Sequence, residues 1–89
     1  MQLRNVYNNV IFEDSSKTIS ETLSAAIQNG ISLRQLRLKS EYIDNVNFSH
    51  VDLGNADLSN CDFSNLKFFG TNFYNSNLNC CNFRNSSFH

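Results

Sequence analysis

The residues of this chain best suited to metal binding or nucleophilic chemistry are its three cysteines and two histidines: Cys61, Cys80, Cys81, His50 and His89. A structural zinc site needs four ligands in a tetrahedral arrangement, and a catalytic cysteine or histidine needs a partner that activates it. The spacing of these residues provides neither arrangement. We therefore predict no catalytic residue, no metal site and no cofactor, and we expect both histidines to lie at the surface.

Three aspartates, Asp52, Asp57 and Asp62, are consecutive copies of one slot in a repeat. Consecutive copies should lie on different faces of the molecule, so these carboxylates do not form the pair that general acid–base chemistry uses. Asx side chains often accept hydrogen bonds from nearby backbone N–H groups at turns, and we interpret the aspartates in this way. The chain also lacks a glycine-rich phosphate loop. No enzymatic activity is predicted.

A five-residue repeat positions these side chains. An apolar residue returns at every fifth position: Phe48, Leu53, Leu58, Phe63, Phe68, Phe73, Leu78, Phe83 and Phe88. A side chain that is mostly smaller stands two residues before each of them. Residues two apart in extended chain point the same way, so each copy predicts a short strand with two inward side chains and then a polar corner. Many such copies wind into a parallel β-solenoid.

The residues that would lie above one another indicate the stacking period. A period of twenty places leucines in one column and phenylalanines in another: Leu38, Leu58 and Leu78, and Phe48, Phe68 and Phe88. A period of fifteen mixes the two residue types more, so twenty is favoured, which gives four faces per coil. At this period Cys61 and Cys81 share an inward column and should be buried and inert, whereas Cys80 lies at a corner.

A β-hairpin is predicted for residues 2–13, with Asn8-Asn9 as its two-residue turn, because asparagine tolerates positive φ. The repeat begins at Ile31, directly after the predicted helix. We expect one domain, residues 1–89, in which residues 1–30 cap a β-helix of residues 31–89.

A helix is predicted for residues 19–29. Thr18 and Glu21 have the spacing of a capping box, in which Thr18 accepts from the Glu21 N–H and the Glu21 side chain reaches back. Asn29-Gly30 supplies a left-handed residue that ends the helix. Its apolar stripe should pack on the first turn of the repeat.

The charge of the chain excludes some classes of partner. The formal net charge is −1, so the whole molecule is not a basic nucleic-acid binder, and direct nucleic-acid binding is not expected. The basic residues Arg34, Arg37 and Lys39 are interpreted as a solvated rim, with nucleic-acid contact as the minor alternative. No apolar run is long enough to span a membrane and no signal peptide follows Met1, so we expect a cytoplasmic protein.

The best copies have the sequences Ala56-Asp57-Leu58-Ser59-Asn60 and Cys61-Asp62-Phe63-Ser64-Asn65. They resemble the pentapeptide-repeat family, and the hairpin-helix front end is similar to that of small phage and bacterial members. The resemblance covers residues 31–89 and departs from the family pattern at Glu41, Leu66 and Lys67, and in the loss of Ala from the later copies. It implies an all-β solenoid: a right-handed quadrilateral parallel β-helix, here of about three coils.

The two ends of such a solenoid have different surroundings. The hairpin and helix are positioned to cover the first end. We expect the second end to expose an apolar surface made of Phe73, Leu78, Phe83 and Phe88. As in some members of the family, we therefore expect a homodimer through the C-terminal coil.

The sequence is compatible with three functions. The leading one is a phage or mobile-element inhibitor that binds a bacterial nucleic-acid-handling complex, such as a CRISPR or restriction system, in the host cytoplasm. The resemblance also implies gyrase inhibition by DNA mimicry, and the third alternative is a purely structural assembly module. The candidate partner-binding residues combine two aromatic side chains with charged ones: Phe69, Tyr74, Lys67, Arg84, Glu41, Asp44 and Asp62.

Overall fold

The structure is a computed structural model that describes residues 1–89. It contains one helix and five short strands: β1 Gln2–Asn5, β2 Val10–Glu13, α1 Ile19–Gln28, β3 Leu36–Arg37, β4 Lys67–Phe68 and β5 Ser87–Phe88. The first three strands form an antiparallel sheet in the order β2-β1-β3, and β4 pairs in parallel with β5. The chain contains no helix with the length and apolar character needed to cross a bilayer.

The predicted hairpin is present, but its turn is longer than expected. Residues 6–9 connect β1 to β2, and of the two asparagines at 8 and 9 only Asn8 has a positive φ, of 69°. The Asn5 side chain accepts hydrogen bonds from the N–H groups of Tyr7 and Asn9, each at 3.0 Å. This Asx interaction closes a wider loop, so the prediction of a two-residue turn was wrong.

Helix α1 begins and ends much as its sequence predicts. The Thr18 side chain accepts from the Glu21 N–H at 3.1 Å, and its hydroxyl donates to the Glu21 carboxylate at 2.9 Å. Gly30 has a φ of 69°, and its N–H donates to the Ile27 carbonyl. The next N–H, that of Ile31, donates to the Ala26 carbonyl. These bonds form a Schellman motif, which satisfies carbonyls at the helix C-terminus.

The corners of the repeat share one backbone conformation. Each fifth residue from 30 to 85 has a positive φ, between 58° and 69°: Gly30, Gln35, Ser40, Asn45, His50, Asn55, Asn60, Asn65, Gly70, Asn75, Cys80 and Asn85. Asparagine and glycine adopt this left-handed conformation at lower cost than other residues. The corner geometry therefore begins directly after α1, where the sequence predicts the start of the repeat.

The repeat segments are stacked by parallel bridges between residues twenty positions apart. They pair Arg37 with Asp57, Tyr42 with Asp62, Asn47 with Lys67, Asp52 with Asn72, Asp57 with Asn77 and Asp62 with Asn82. In this ladder the Leu58 N–H donates to the Asn77 carbonyl, and the Asn77 N–H donates to the Ala56 carbonyl. The bridges confirm the predicted stacking period of twenty residues.

The core is a column of apolar side chains inside these stacked segments. The Phe48 and Phe68 rings are parallel at 5.3 Å, and the Phe68 and Phe88 rings at 5.1 Å. Leu23 and Ala26 of α1 are buried in the same cluster. The helix therefore packs on the first turn of the repeat and closes one end of the core.

Candidate interaction surface

The last coil, which we define as residues 70–89, is less buried than the coil below it. Phe68 is 1% exposed, whereas Phe88 above it in the same column is 48% exposed. The other inward residues of the last coil, Phe73, Leu78 and Phe83, are half-buried. The structure thus brings together the predicted dimer-end residues as one apolar surface.

The backbone of the last coil has unused hydrogen-bonding groups. The N–H groups of Leu53 and Leu58 donate to carbonyls of the coil above. The corresponding N–H groups of Phe73 and Leu78 have no backbone acceptor. An open edge of this kind can pair with another chain.

The outward surface of the last coil is almost free of charge. The outward slots of residues 50–69 hold Asp52, Asp57, Asp62 and Lys67, whereas the slots twenty residues later hold Asn72, Asn77, Asn82 and Ser87. Arg84 is the one lysine, arginine or carboxylate residue between positions 70 and 89. Depletion of charged side chains is a property of the central part of protein–protein interfaces.

The two aromatic candidates lie in different surroundings. Phe69 is half-buried, and its ring packs against the His89 ring with 4.7 Å between their centroids. Tyr74 is 68% exposed and contacts no other aromatic ring. Tyr74 is therefore the aromatic residue of this region that a partner can reach most directly.

The charged candidates do not form a continuous stripe. Asp44 is exposed at a corner, where its backbone N–H donates to the Ser20 hydroxyl of α1 at 3.0 Å. Glu41 and Asp62 are half-buried, and Arg84 and Lys67 are exposed. None of these five residues takes part in an ion pair, and the set contains both acidic and basic side chains.

The repeated aspartates hold the corners, as the sequence predicts. The side chains of Asp52, Asp57 and Asp62 accept from the N–H two residues later, at 2.8, 3.2 and 3.0 Å. The Gly54 N–H, together with Arg34 at 2.9 Å, lowers the pKa of Asp52. Hydrogen bonds from the Ser64 hydroxyl and N–H lower the pKa of Asp62.

The cysteines occupy the predicted slots, but only one is fully buried. Cys61 is buried, its thiol donates to the Leu38 carbonyl, and burial raises its pKa to about 11. Cys81 was predicted to be buried and is half-buried, because no further coil covers it in this structure; partial burial also raises its pKa. Cys80 is exposed. The structure brings together no group of three metal-ligating side chains.

The sequence reasoning missed the role of the small inward slot in the later copies. Cys81 donates to the Leu58 carbonyl at 2.9 Å, and Thr71 donates to the Phe48 carbonyl at 2.7 Å. Ser76 and Ser86 make the equivalent bonds to carbonyls twenty-three residues earlier. The sequence does mark this role, because Val and Ala in the small inward slot of the early copies are replaced by residues with a hydroxyl or a thiol in the later copies. These side chains tie adjacent coils together without adding apolar volume.

Comparison with known protein families identifies pentapeptide repeats, in eight copies, over residues 43–79 and 67–89. The chain belongs to the pentapeptide-repeat family and has the β-helix type of fold that these repeats form. Proteins of this family are generally structural or interaction modules and not enzymes. Comparison with curated proteins gave no significant match, and comparison with solved structures gave none either.

Proposed function

We propose that this protein is an inhibitor from a phage or mobile element that binds a bacterial nucleic-acid-handling complex by protein–protein contact through its last coil. CRISPR and restriction complexes are the proposed targets. The observation that supports a contact at this place is a charge-depleted outer surface that carries an exposed tyrosine. The proposed scaffold is a right-handed quadrilateral β-helix of about three coils, since stacking bridges recur every twenty residues.

A partner that covers the last coil must remove water from its surface. Charged side chains lose favourable hydration when a partner covers them, whereas apolar and amide-bearing surfaces lose less. Tyr74 offers a large, rigid contact with a polar tip, and tyrosine is enriched among the residues that contribute most to binding. Lys67 and Arg84 border this surface and would contribute at its rim.

The proposed target class depends on the similarity of this chain to small phage and bacterial pentapeptide-repeat proteins. The test is a pull-down from bacterial lysate with the wild-type protein and three variants, Tyr74→Ala, Tyr42→Ala and Tyr7→Ala. These tyrosines are 68%, 64% and 70% exposed, and each lies on a different part of the molecule. Their substitution therefore removes similar surface area at three separate places.

We expect the wild-type protein to capture a nucleic-acid enzyme or defence complex, and Tyr74→Ala alone to lose it. Loss with Tyr42→Ala, which neighbours Glu41 and lies beside Asp62 in the ladder, would instead place the contact on the acidic side. Capture of no such complex by the wild-type protein would overturn the proposed target class and favour a purely structural module.

DNA mimicry of the gyrase-inhibitor kind is the competing mechanism. It is supported by carboxylates that hydrogen bonds keep ionised, at Asp52 and Asp62. It is opposed by Lys67 and Arg84, which interrupt the negative surface. Mimicry predicts that binding to gyrase or another DNA-binding partner weakens steeply with salt and with Asp62→Asn. Contact through Tyr74 predicts weak dependence on both.

We also propose that two copies of the chain associate through their last coils. The exposed Phe88 ring and the unpaired N–H groups of Phe73 and Leu78 support this arrangement. Light scattering at micromolar concentration should give twice the chain mass of 10.2 kDa, and Phe88→Asp should give the monomer. A wild-type protein that remains monomeric under these conditions would overturn the proposal.

A further inference from the structure

A basic cleft lies at the other end of the molecule, between the hairpin and the first repeat copies. It is open to solvent and has a volume of about 290 Å³, and its polar lining consists of Gln2, Arg4, Asn8, Arg37, Lys39 and Glu41. Three of these side chains are cations and one is a carboxylate. The cleft is separate from the last coil and plays no part in the proposed function.

The sheet topology forces two of the cations together. Strand β1 pairs antiparallel with β3, and the Cα of Arg4 lies directly opposite that of Arg37. Side chains of directly opposed residues point to the same face of a sheet, with Cβ atoms roughly 5 Å apart. Like charges at such positions destabilise the pair. Lys39 adds a third positive charge to the same cleft.

The cleft cations are not neutralised within the chain. The two ion pairs of the structure join the Met1 amino group to Asp14 and Arg34 to Asp52, and neither involves Arg4, Arg37 or Lys39. Asp57, which neighbours Arg37 in the ladder, accepts instead from the N–H and hydroxyl of Ser59.

Neutral acceptors orient one of the cations. The Arg4 guanidinium donates to the Asn8 carbonyl at 2.7 Å and to the Gln2 side-chain oxygen at 2.9 Å. These bonds hold the planar group in place but leave its charge uncompensated. A guanidinium has five N–H donors, so donors remain for a ligand.

The sequence suggests a basic cluster of Arg34, Arg37 and Lys39, but these three residues do not all line the cleft. Arg34 is removed from it by the ion pair with Asp52, at 2.9 Å, and Arg4, more than thirty positions away from Arg37 in sequence, takes its place. The cluster in the cleft is therefore Arg4, Arg37 and Lys39, and it cannot be recognised from sequence proximity.

From this cleft, the geometry points to a binding site for a phosphate dianion, as free phosphate or as the terminal phosphate of a small ester. Three cations and the Glu41 carboxylate leave a formal charge of +2, which matches a dianion better than a single carboxylate ligand. Arginine guanidinium groups bind phosphate oxygens with two parallel hydrogen bonds. A bound dianion would also relieve the repulsion between Arg4 and Arg37.

The test is a two-dimensional ¹H–¹⁵N NMR titration with sodium phosphate, with sodium chloride used to keep the ionic strength constant. We expect saturable shifts in residues 2–8 and 36–39 and none in residues 71–86. Arg37→Gln should weaken binding about tenfold, the effect of losing one hydrogen bond to a charged group. Arg84→Gln, which removes an exposed arginine of the last coil, is the matched control and should bind as the wild type does.

The melting temperature gives a second test, because Arg37→Gln should have opposite effects on stability in the absence and in the presence of phosphate. Without phosphate, Arg37→Gln should raise the melting temperature because it removes the repulsion with Arg4. With phosphate, the wild-type protein should gain stability and the variant should gain much less. Equal gains in both proteins, or shifts that follow ionic strength alone, would overturn the proposal.

Two further ligands distinguish the sources of the anion. A nucleoside monophosphate should bind at least as well as phosphate if the site accepts small esters, and weaker binding would restrict it to free phosphate. A short single-stranded oligonucleotide with a hydroxyl at each end carries only phosphodiesters. Stronger binding of this oligonucleotide than of phosphate would overturn the dianion site and identify a nucleic-acid contact instead.

Discussion

The two ends of this repeat are built from the same five-residue pattern but differ in burial. At the first end, Leu33 and Leu38 are buried beneath the hairpin and α1. At the last coil, Phe73 and Leu78 occupy the same columns and are half-buried. The pattern therefore decides which side chains point inward, whereas the element stacked above decides how much water they lose. The open end therefore leaves apolar surface in contact with water, whereas the closed end buries it.

The largest difference should appear in the phenylalanine column. Phe68→Ala should reduce the free energy of unfolding by about 3–5 kcal/mol, because it leaves a cavity between two stacked rings. Phe88→Ala, in the same column at the open end, should cost only about 1–2 kcal/mol, since roughly half of its ring is already in water. Urea denaturation monitored by circular dichroism measures both values.

A cost for Phe88→Ala that grows with protein concentration would show that a second copy buries the ring, in agreement with the proposed dimer. Equal costs for both variants at low concentration would contradict the difference between the ends.

A smaller difference in stability is expected between alanine substitutions at two glycines with positive φ, one at the start of the repeat and one in the last coil. Gly30 and Gly70 have φ values of 69° and 68°, so an alanine should cost about 1–2 kcal/mol in backbone strain at either position. A Cβ at Gly30 contacts nothing, but a Cβ at Gly70 lies 2.7 Å from Nδ1 of His50. Gly70→Ala should therefore be the more destabilising substitution in thermal unfolding.

His50→Ala provides the control for this prediction. In that background Gly70→Ala should cost no more than Gly30→Ala. A persistent difference would mean that the imidazole ring is not the group that opposes the added methyl.

The cap on the closed end can be weakened without altering the repeat. Thr18→Ala removes the hydroxyl that accepts from the Glu21 N–H, and it should cost about 1 kcal/mol. The loss should appear in hydrogen exchange as faster exchange in α1, with residues 71–86 unaffected. Uniform acceleration across the chain would instead show that α1 and the repeat unfold as one unit.

The smallest expected effect is on stability at acidic pH. The outward slots that hold aspartates in one coil hold asparagines in the last coil, so only the first of these coils has carboxylates that titrate there. Because hydrogen bonds lower the pKa of Asp52 and Asp62 in the folded chain, their contribution is present above the ordinary aspartate pKa of 3.8. It is lost as the pH falls below that value. The double substitution Asp52→Asn and Asp62→Asn should make the melting temperature less dependent on pH between about 4 and 2.

Asp44→Asn is the control, since the Asp44 carboxylate accepts no hydrogen bond within the chain. It should leave the acid dependence unchanged. If Asp44→Asn has half the effect of the double substitution, then net charge, and not the corner bonds, sets the acid stability.

The sequence by itself determined the inward columns, the polar corners, the start of the repeat after Gly30 and both caps of α1. These features depend on groups only a few residues apart. Asparagine or glycine at most of the corners reflects the cost of positive φ, and the five-residue spacing of apolar residues reflects the alternation of extended chain. The hairpin turn was mispredicted for a local reason as well, because the Asn5 side chain competes with the expected Asn8-Asn9 turn.

Only the tertiary structure decided which charged and aromatic side chains pair with one another and how far each is exposed. It showed that the Phe69 ring packs on His89, whereas the Tyr74 side chain is exposed. It paired Arg34 with Asp52 and set Arg4 opposite Arg37. The physical reason is that charge pairing and burial depend on the segment that lies alongside, which a periodic sequence with many equivalent slots does not specify.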